Sequence, residues 1–281
     1  MSDATGAAIA GVASERGTAW ATPADHPPLP DDEVHVWKAS VAALAPGEVR
    51  LRALLDAAEL ARAERYRFAR DRTQYVVAHG LVRLLLARYL GAEPAALKFA
   101  AGPFGKPSLC EPAGGGLEFN LSHSADLVLL AVTRHRAVGV DVECWDRDIE
   151  AELLARQFFS PAERAQLAAL PPDARVPGFF ACWSRKEAYI KATGLGVSQG
   201  LDYFDVSLAP GEPARLLADR HATGRAAAWT LHDLAPAPGY SGAVIADGAP
   251  WRLRRFAPAG AAGAGGETGA AGDVLDARTA G

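Results

Sequence analysis

Cysteine and methionine are scarce in this chain, with three Cys and one Met among 281 residues. Cys110, Cys144 and Cys182 are odd in number and share no paired spacing. That pattern suggests neither a disulfide framework nor a cysteine zinc site. Neither charge dominates: the formal net charge is −4, which gives no general case for binding nucleic acid or an anionic membrane. Long apolar runs are missing too. The longest strongly apolar stretch, Leu127 to Val132, is far too short to span a bilayer. The opening Met1-Ser-Asp-Ala-Thr-Gly has none of the basic residues of a secretory signal. These absences predict a cytoplasmic protein without nucleic-acid or membrane partners, in which any polyanionic ligand is met by local basic residues.

Bulky apolar side chains are sparse at both ends. Residues 1–31 are small and polar and close on a proline-rich stretch, and residues 257–281 are mostly Ala and Gly. Neither offsets the entropy of ordering, so both are expected to be tails.

Between the tails the hydrophobic content of 49% suffices for a large core or two ordinary domains. The chain repeats itself weakly there. Val34-His-Val-Trp-Lys and Val138-Gly-Val-Asp-Val both read as strands. Asp56-Ala-Ala-Glu59 and Ser160-Pro-Ala-Glu163 both have the capping-box pattern, and a longer helix then ends at Gly91 and at Gly194. The spacing between halves is nearly constant, from 56 to 160, 59 to 163 and 91 to 194. Each half closes with extended segments: Leu97–Ala100, Leu117–Leu121 and Leu127–Val132, then Leu201–Leu208, Ala228–Leu231 and Ser241–Ile245. Strand, helices and antiparallel strands in that order predict an α+β fold of two similar lobes, 32–136 and 137–256.

The chemistry concentrates in two motifs. In Gly139-Val-Asp-Val-Glu143 a strand would direct Asp141 and Glu143 from one face and Val140 and Val142 from the other. In Trp183-Ser-Arg-Lys-Glu-Ala-Tyr-Ile-Lys191, Glu187 and Lys191 lie one helical turn apart. At about 100° per residue, Glu187 borders the apolar stripe of Phe179, Trp183 and Ile190. Three hard oxygen donors beside a lysine suit a magnesium ion shared with the oxygens of a diphosphate. Taken singly, each motif has an ordinary explanation, a solvated sheet face or a surface Glu–Lys pair. Other residues shift the balance. Lys106 sits in the turn Phe104-Gly-Lys-Pro107, and Ser122 and His123 end a strand in Phe119-Asn-Leu-Ser-His-Ser124. Arg62, Arg65, Arg67, Arg70 and Arg72, with Thr73, form the one basic concentration, and guanidinium groups suit phosphate.

Together, Gly-Val-Asp-Val-Glu, Phe-Phe-Ser-Pro-Ala-Glu and Trp-Ser-Arg-Lys-Glu-Ala-Tyr-Ile-Lys resemble the signature of the 4′-phosphopantetheinyl transferases. The upstream Phe-Gly-Lys-Pro and Phe-Asn-Leu-Ser-His-Ser resemble the monomeric, two-lobed Sfp-type class, over about residues 32–250. The resemblance implies an enzyme that moves the 4′-phosphopantetheine arm of coenzyme A to a serine of an acyl, peptidyl or polyketide carrier protein. It implies that Asp141, Glu143 and Glu187 hold Mg2+, or Mn2+, with the diphosphate. Lys191 would contact the phosphates and assist the leaving group, and Glu187 would accept the serine proton. Ser122 and His123 would meet phosphates of coenzyme A, Lys106 its nucleotide end, and Arg72 and Thr73 its 3′-phosphate, with Arg62 a weaker candidate. The basic run departs from the family by its intervening alanines and acids. Three carboxylates on magnesium do not by themselves choose the acceptor. A phosphohydrolase, a nucleotidyl-transfer enzyme and a non-catalytic coenzyme A or carrier-protein binding module therefore stand as alternatives.

Overall fold

The computed structural model describes residues 19–112, 115–145, 149–196, 200–221, 224–248 and 250–260. The first half runs β1 (Glu33–Ser40), helices α1 (Val41–Leu44), α2 (Glu48–Arg52), α3 (Ala57–Ala63) and α4 (Ala69–Leu90). Strands β2 (Lys98–Ala101), β3 (Pro107–Glu111), β4 (Leu117–Ser124) and β5 (Leu127–Arg134) complete it. The second half opens with β6 (Val138–Cys144), followed by α5 (Ala151–Phe158), α6 (Pro161–Ala169) and α7 (Pro172–Thr193). It continues through β7 (Phe204–Val206), β8 (Leu216–Asp219), β9 (Trp229–Leu234), β10 (Tyr240–Asp247) and β11 (Arg252–Phe256). This is an α+β architecture.

Both expected capping boxes form. The Asp56 and Ser160 side chains accept from the backbone N–H of Glu59 and Glu163, and those glutamates reach back to the cap N–H. The two long helices, α4 and α7, each have 22 residues and each stop at a left-handed glycine, Gly91 (φ 61°) and Gly194 (φ 69°). A deeper correspondence was not legible in the sequence. In the first half the fully buried Arg83 of α4 donates to Glu59 (2.8 Å), Asp56 (2.9 Å) and the carbonyls of Pro94 and Leu97, with Phe99 beneath its guanidinium. In the second the fully buried Lys186 of α7 lies 2.8 Å from Glu163, donates to the carbonyls of Leu201 and Phe204, and sits over the Phe204 ring. Each capping-box glutamate thus also neutralises a cation sent inward by the long helix. Losing either partner of the Lys186–Glu163 pair would leave an uncompensated buried charge, whereas Arg83 has both Glu59 and Asp56.

A four-stranded sheet has the order β11-β1-β5-β4, and a three-stranded sheet the order β6-β10-β9. One face of the first packs on α4 through Trp37, Ala39, Leu81 and Leu85, and one face of the second packs on α7 through Ala243, Ile245, Ala188 and Tyr189. The opposite faces meet in a third core of Val34, Val36, Leu129, Val138, Val140 and Val142. The last strand departs from the expected two-lobe division. β11 lies within residues 137–256, yet it pairs in parallel with β1 from Glu33↔Arg252 to Trp37↔Phe256. Leu201–Leu208, expected as one extended segment, divides into a 3-10 turn over Leu201–Tyr203 and the short β7.

Residues 19–31, expected as part of a tail, pack against the first sheet instead. Ala21 bridges Phe256, Leu29 is buried, and His26 stacks on Trp37 and meets the Tyr89 ring edge-on at 4.0 Å. Burial first, then the Arg88 charge, lowers the His26 imidazole to about 4. A few well-placed rings suffice where bulk composition predicted none. Residues 1–18 and 261–281 lie outside the described residues. Among the described residues, no helix is long and apolar enough to cross a membrane.

Candidate active site

β6 and α7 carry the two chemical motifs, and Gly139 sets the distance between them. A Cβ at Gly139 would lie 2.0 Å from the Ala188 carbonyl oxygen and 2.5 Å from the Ala192 nitrogen, so the helix backbone rests directly on the strand. Only glycine permits that approach. It brings the turn bearing Glu187 and Lys191 alongside Asp141.

Asp141 is 2% exposed. Its Oδ1 accepts from Lys191 Nζ at 2.6 Å and from Ser122 Oγ at 2.9 Å, while its buried Oδ2 has no hydrogen-bond partner. Burial pushes the Asp141 carboxyl above the usual range, against the opposing pull of the Lys191 ammonium. Glu143 is raised to about 7, first by burial and then by the Asp141 charge. Glu187 is also raised, by burial and again by Asp141. Three carboxylates are therefore crowded enough to oppose one another's ionisation, with Lys191 as the compensating cation.

A seam between the halves supports this cluster. β4 is the edge of the first sheet and runs beside β6, but the two are not joined by a backbone ladder. Side-chain oxygens of β4 accept the β6 backbone N–H groups instead: Asn120 from Val140 (2.8 Å), Ser122 from Val142 (3.3 Å) and Ser124 from Cys144 (3.1 Å). The two serines then donate to the carboxylates, Ser122 to Asp141 and Ser124 to Glu143 (3.1 Å). Ser122 also accepts from Lys191 Nζ at 3.0 Å. Its hydrogen-bonding capacity is spent within the protein, on aligning Asp141 and Lys191.

The structure thus brings Ser122, Asp141, Glu143, Glu187 and Lys191 together. His123 neighbours them on β4. Part of its ring is exposed, and the protein around the remainder lowers its pKa, with smaller contributions from His79 and Lys191. Lys106 does not project from its turn. Its Nζ donates to the carbonyls of Val138 (3.1 Å) and Ala192 (3.0 Å), tying the β2–β3 hairpin to the start of β6 and the end of α7. Burial lowers the pKa of its ammonium. Arg72 and Thr73 lie near the start of α4, where Thr73 donates to Glu48 at 2.9 Å. Arg62 stands over the Tyr75 ring and lines a cavity of about 360 Å³ with His79, Phe99, Gly105 and Phe119. Sequence reasoning missed Asn120, Ser124, Gly139, Tyr75 and His79. The matched alternation of Asn120-x-Ser122-x-Ser124 with Val140-x-Val142-x-Cys144 was the one signal for the seam. Among the described residues, no group of three or more His, Cys, Asp or Glu side chains is arranged so that it could hold a metal ion.

Two family models match the chain, "4'-phosphopantetheinyl transferase, N-terminal" over residues 37–135 and "4'-phosphopantetheinyl transferase superfamily" over residues 137–246. The 4'-phosphopantetheinyl transferase HetI of Nostoc sp. is 39% identical over 225 residues, spanning 80% of this chain and 92% of that protein. The chain belongs to the 4′-phosphopantetheinyl transferase superfamily. The 4'-phosphopantetheinyl transferase Sfp of Bacillus subtilis is 33% identical over 167 residues, 59% of this chain and 70% of that one. The salmonella transferase AcpT is 37% identical over 112 residues, 40% of this chain and 56% of its own. The chain is accordingly an enzyme of the phosphopantetheinyl transferase kind.

Proposed function

We propose that the enzyme transfers the 4′-phosphopantetheine arm of coenzyme A to a serine of an acyl, peptidyl or polyketide carrier protein, releasing adenosine 3′,5′-bisphosphate in a magnesium-dependent reaction. One observation carries the magnesium reading. The buried Oδ2 of Asp141 has no partner, and it belongs to a cluster whose other carboxylates are raised by burial and by its charge. Hard oxygens short of positive charge fit a hard divalent cation. Magnesium keeps several waters and takes only one or two carboxylates plus substrate phosphates, so a closed protein cage is not required. Asp141, Glu143 and Glu187 would hold it, and manganese is compatible with the same donors. When bound, the ion supplies charge neutralisation at the diphosphate.

The remaining work falls to this chain's own side chains. The carrier serine oxygen attacks the β-phosphorus, a P–O bond to that phosphorus forms, and the P–O bond to the bridging oxygen breaks. Lys191 stabilises the negative charge that grows on the leaving phosphate, an interaction stronger in the transition state than in the ground state. Glu187 accepts the serine proton. It stands one helical turn from Lys191 on α7, beside Asp141. His123 contacts a phosphate of coenzyme A from the open side of the site, and Arg62 and Arg72 meet the nucleotide end. Lys106 and Ser122 serve the same substrate indirectly, by holding β6, α7 and Asp141 in place.

Mass spectrometry of several purified apo-carriers, incubated with enzyme, coenzyme A and Mg2+, tests the reading. One phosphopantetheine group added to one serine is the expected result. Hydrolysis of coenzyme A without a carrier, or carriers left unmodified, would overturn it.

A further inference from the structure

We infer that Ser124 is a positioning residue that fixes the Glu143 carboxylate for its ion; this rests on the magnesium reading above. Asp141 is held by two donors, Lys191 and Ser122. Among the described residues, Glu143 has one hydrogen-bond donor, the Ser124 hydroxyl at 3.1 Å. That hydroxyl is not free to turn. Its oxygen also accepts the Cys144 N–H at 3.1 Å, which fixes the lone pair and leaves the O–H to point at Glu143. The acceptor contact belongs to the seam and the donor contact to the carboxylate, so one atom transmits strand register to a metal-binding side chain. Asn120 supplies a comparison within the same fold. It makes the equivalent seam contact to Val140 and has no bond to a site carboxylate.

A hydroxyl that orients a ligating carboxylate acts on metal affinity, and loss of such a partner costs about 10–100-fold. The test compares Ser124→Ala, Ser124→Thr and Asn120→Ala in the full chain. Two measurements are made: the magnesium half-saturation of holo-carrier formation, and the Mg2+ dependence of the melting temperature with coenzyme A present. Ser124→Ala is expected to raise the half-saturation about 10–100-fold, with a smaller effect on kcat at saturating Mg2+. The magnesium concentration needed for the thermal shift should rise in parallel. Ser124→Thr keeps the hydroxyl and should restore both. Asn120→Ala should lower the metal-free melting temperature, by orphaning the buried Val140 N–H, without moving the magnesium midpoint. A wild-type midpoint in Ser124→Ala, no rescue by threonine, or an equal shift in Asn120→Ala would each overturn the assignment. If the wild-type enzyme works equally well in a metal chelator, the magnesium reading itself fails and this inference with it.

Discussion

Lys186 and Glu187 are adjacent in the motif, and the structure gives them different surroundings. Lys186→Met removes an ammonium that lies 2.8 Å from Glu163 and donates to the carbonyls of Leu201 (2.7 Å) and Phe204 (2.6 Å). Glu163 is only 2% exposed, and its carboxylate is already used by the Ser160 and Val206 N–H groups. It cannot swing out to water. Breaking a buried pair from one side costs about 3–5 kcal/mol, a large part of the roughly 5–15 kcal/mol that holds a domain folded. None of the Lys186 contacts is a site carboxylate, so transfer rate per folded molecule should change less than about tenfold, below the loss expected for an electrostatic catalytic contact. Glu187→Ala should behave in the opposite way. Burial and the Asp141 charge already disfavour the Glu187 carboxylate, so its removal leaves stability unchanged or slightly higher. The transfer rate should fall about 10²–10³-fold. Urea unfolding followed by fluorescence, beside initial rates of holo-carrier formation at 15 °C, separates the two. A Lys186→Met protein as stable as wild type, or a Glu187→Ala protein with near-normal turnover at saturating Mg2+, would refute this division of labour.

The raised Glu143 carboxyl predicts a pH signature. Between its ordinary value of 4.5 and about 7 the folded protein binds more protons at this group than the unfolded chain. Its stabilising contribution is therefore full below 4.5 and lost as pH rises towards 7. Glu143→Gln should flatten that decline in metal-free protein, and identical slopes in chemical denaturation would count against it. Gly139→Ala places a Cβ 2.0 Å from the Ala188 carbonyl oxygen, so α7 must move away from β6. A cost of at least about 1–3 kcal/mol and a large loss of transfer are expected, and a melting curve like wild type would contradict the close packing. Deleting residues 1–28 removes Trp20 and His26 and should lower the melting temperature, whereas deleting only 1–18 should leave it nearly unchanged. Equal melting points for the two truncations would show that the packed segment contributes nothing.

Local chemistry was the legible part of this fold. Asp56, Ser160, Gly91 and Gly194 announce helix ends because capping is settled within four or five residues. The shared face of Asp141 and Glu143 follows from strand alternation alone. Contacts between distant segments were not legible. Arg83 and Lys186 read as ordinary helix cations, and nothing local says that each turns inward onto a capping-box glutamate. Lys106 in its Gly-Pro turn suggested an exposed ligand contact, but two carbonyls from β6 and α7 claim its ammonium. Ser122, expected to meet phosphate, also donates to Asp141 and accepts from Lys191, contacts the motif alone did not reveal. In each case the competing partners lie on other elements, eleven or more residues away, beyond the reach of periodicity.

The pairing of β11 with β1 has a consequence for how the molecule comes into being. During synthesis the opening strand leaves the ribosome more than two hundred residues before its parallel neighbour exists. Until then one side of Glu33–Trp37 offers unpaired amide and carbonyl groups to any passing chain. A polypeptide cut short before Arg252 would keep every proposed magnesium ligand and still carry that open margin. The margin of the first sheet is thus closed only by residues from the far end of the second half.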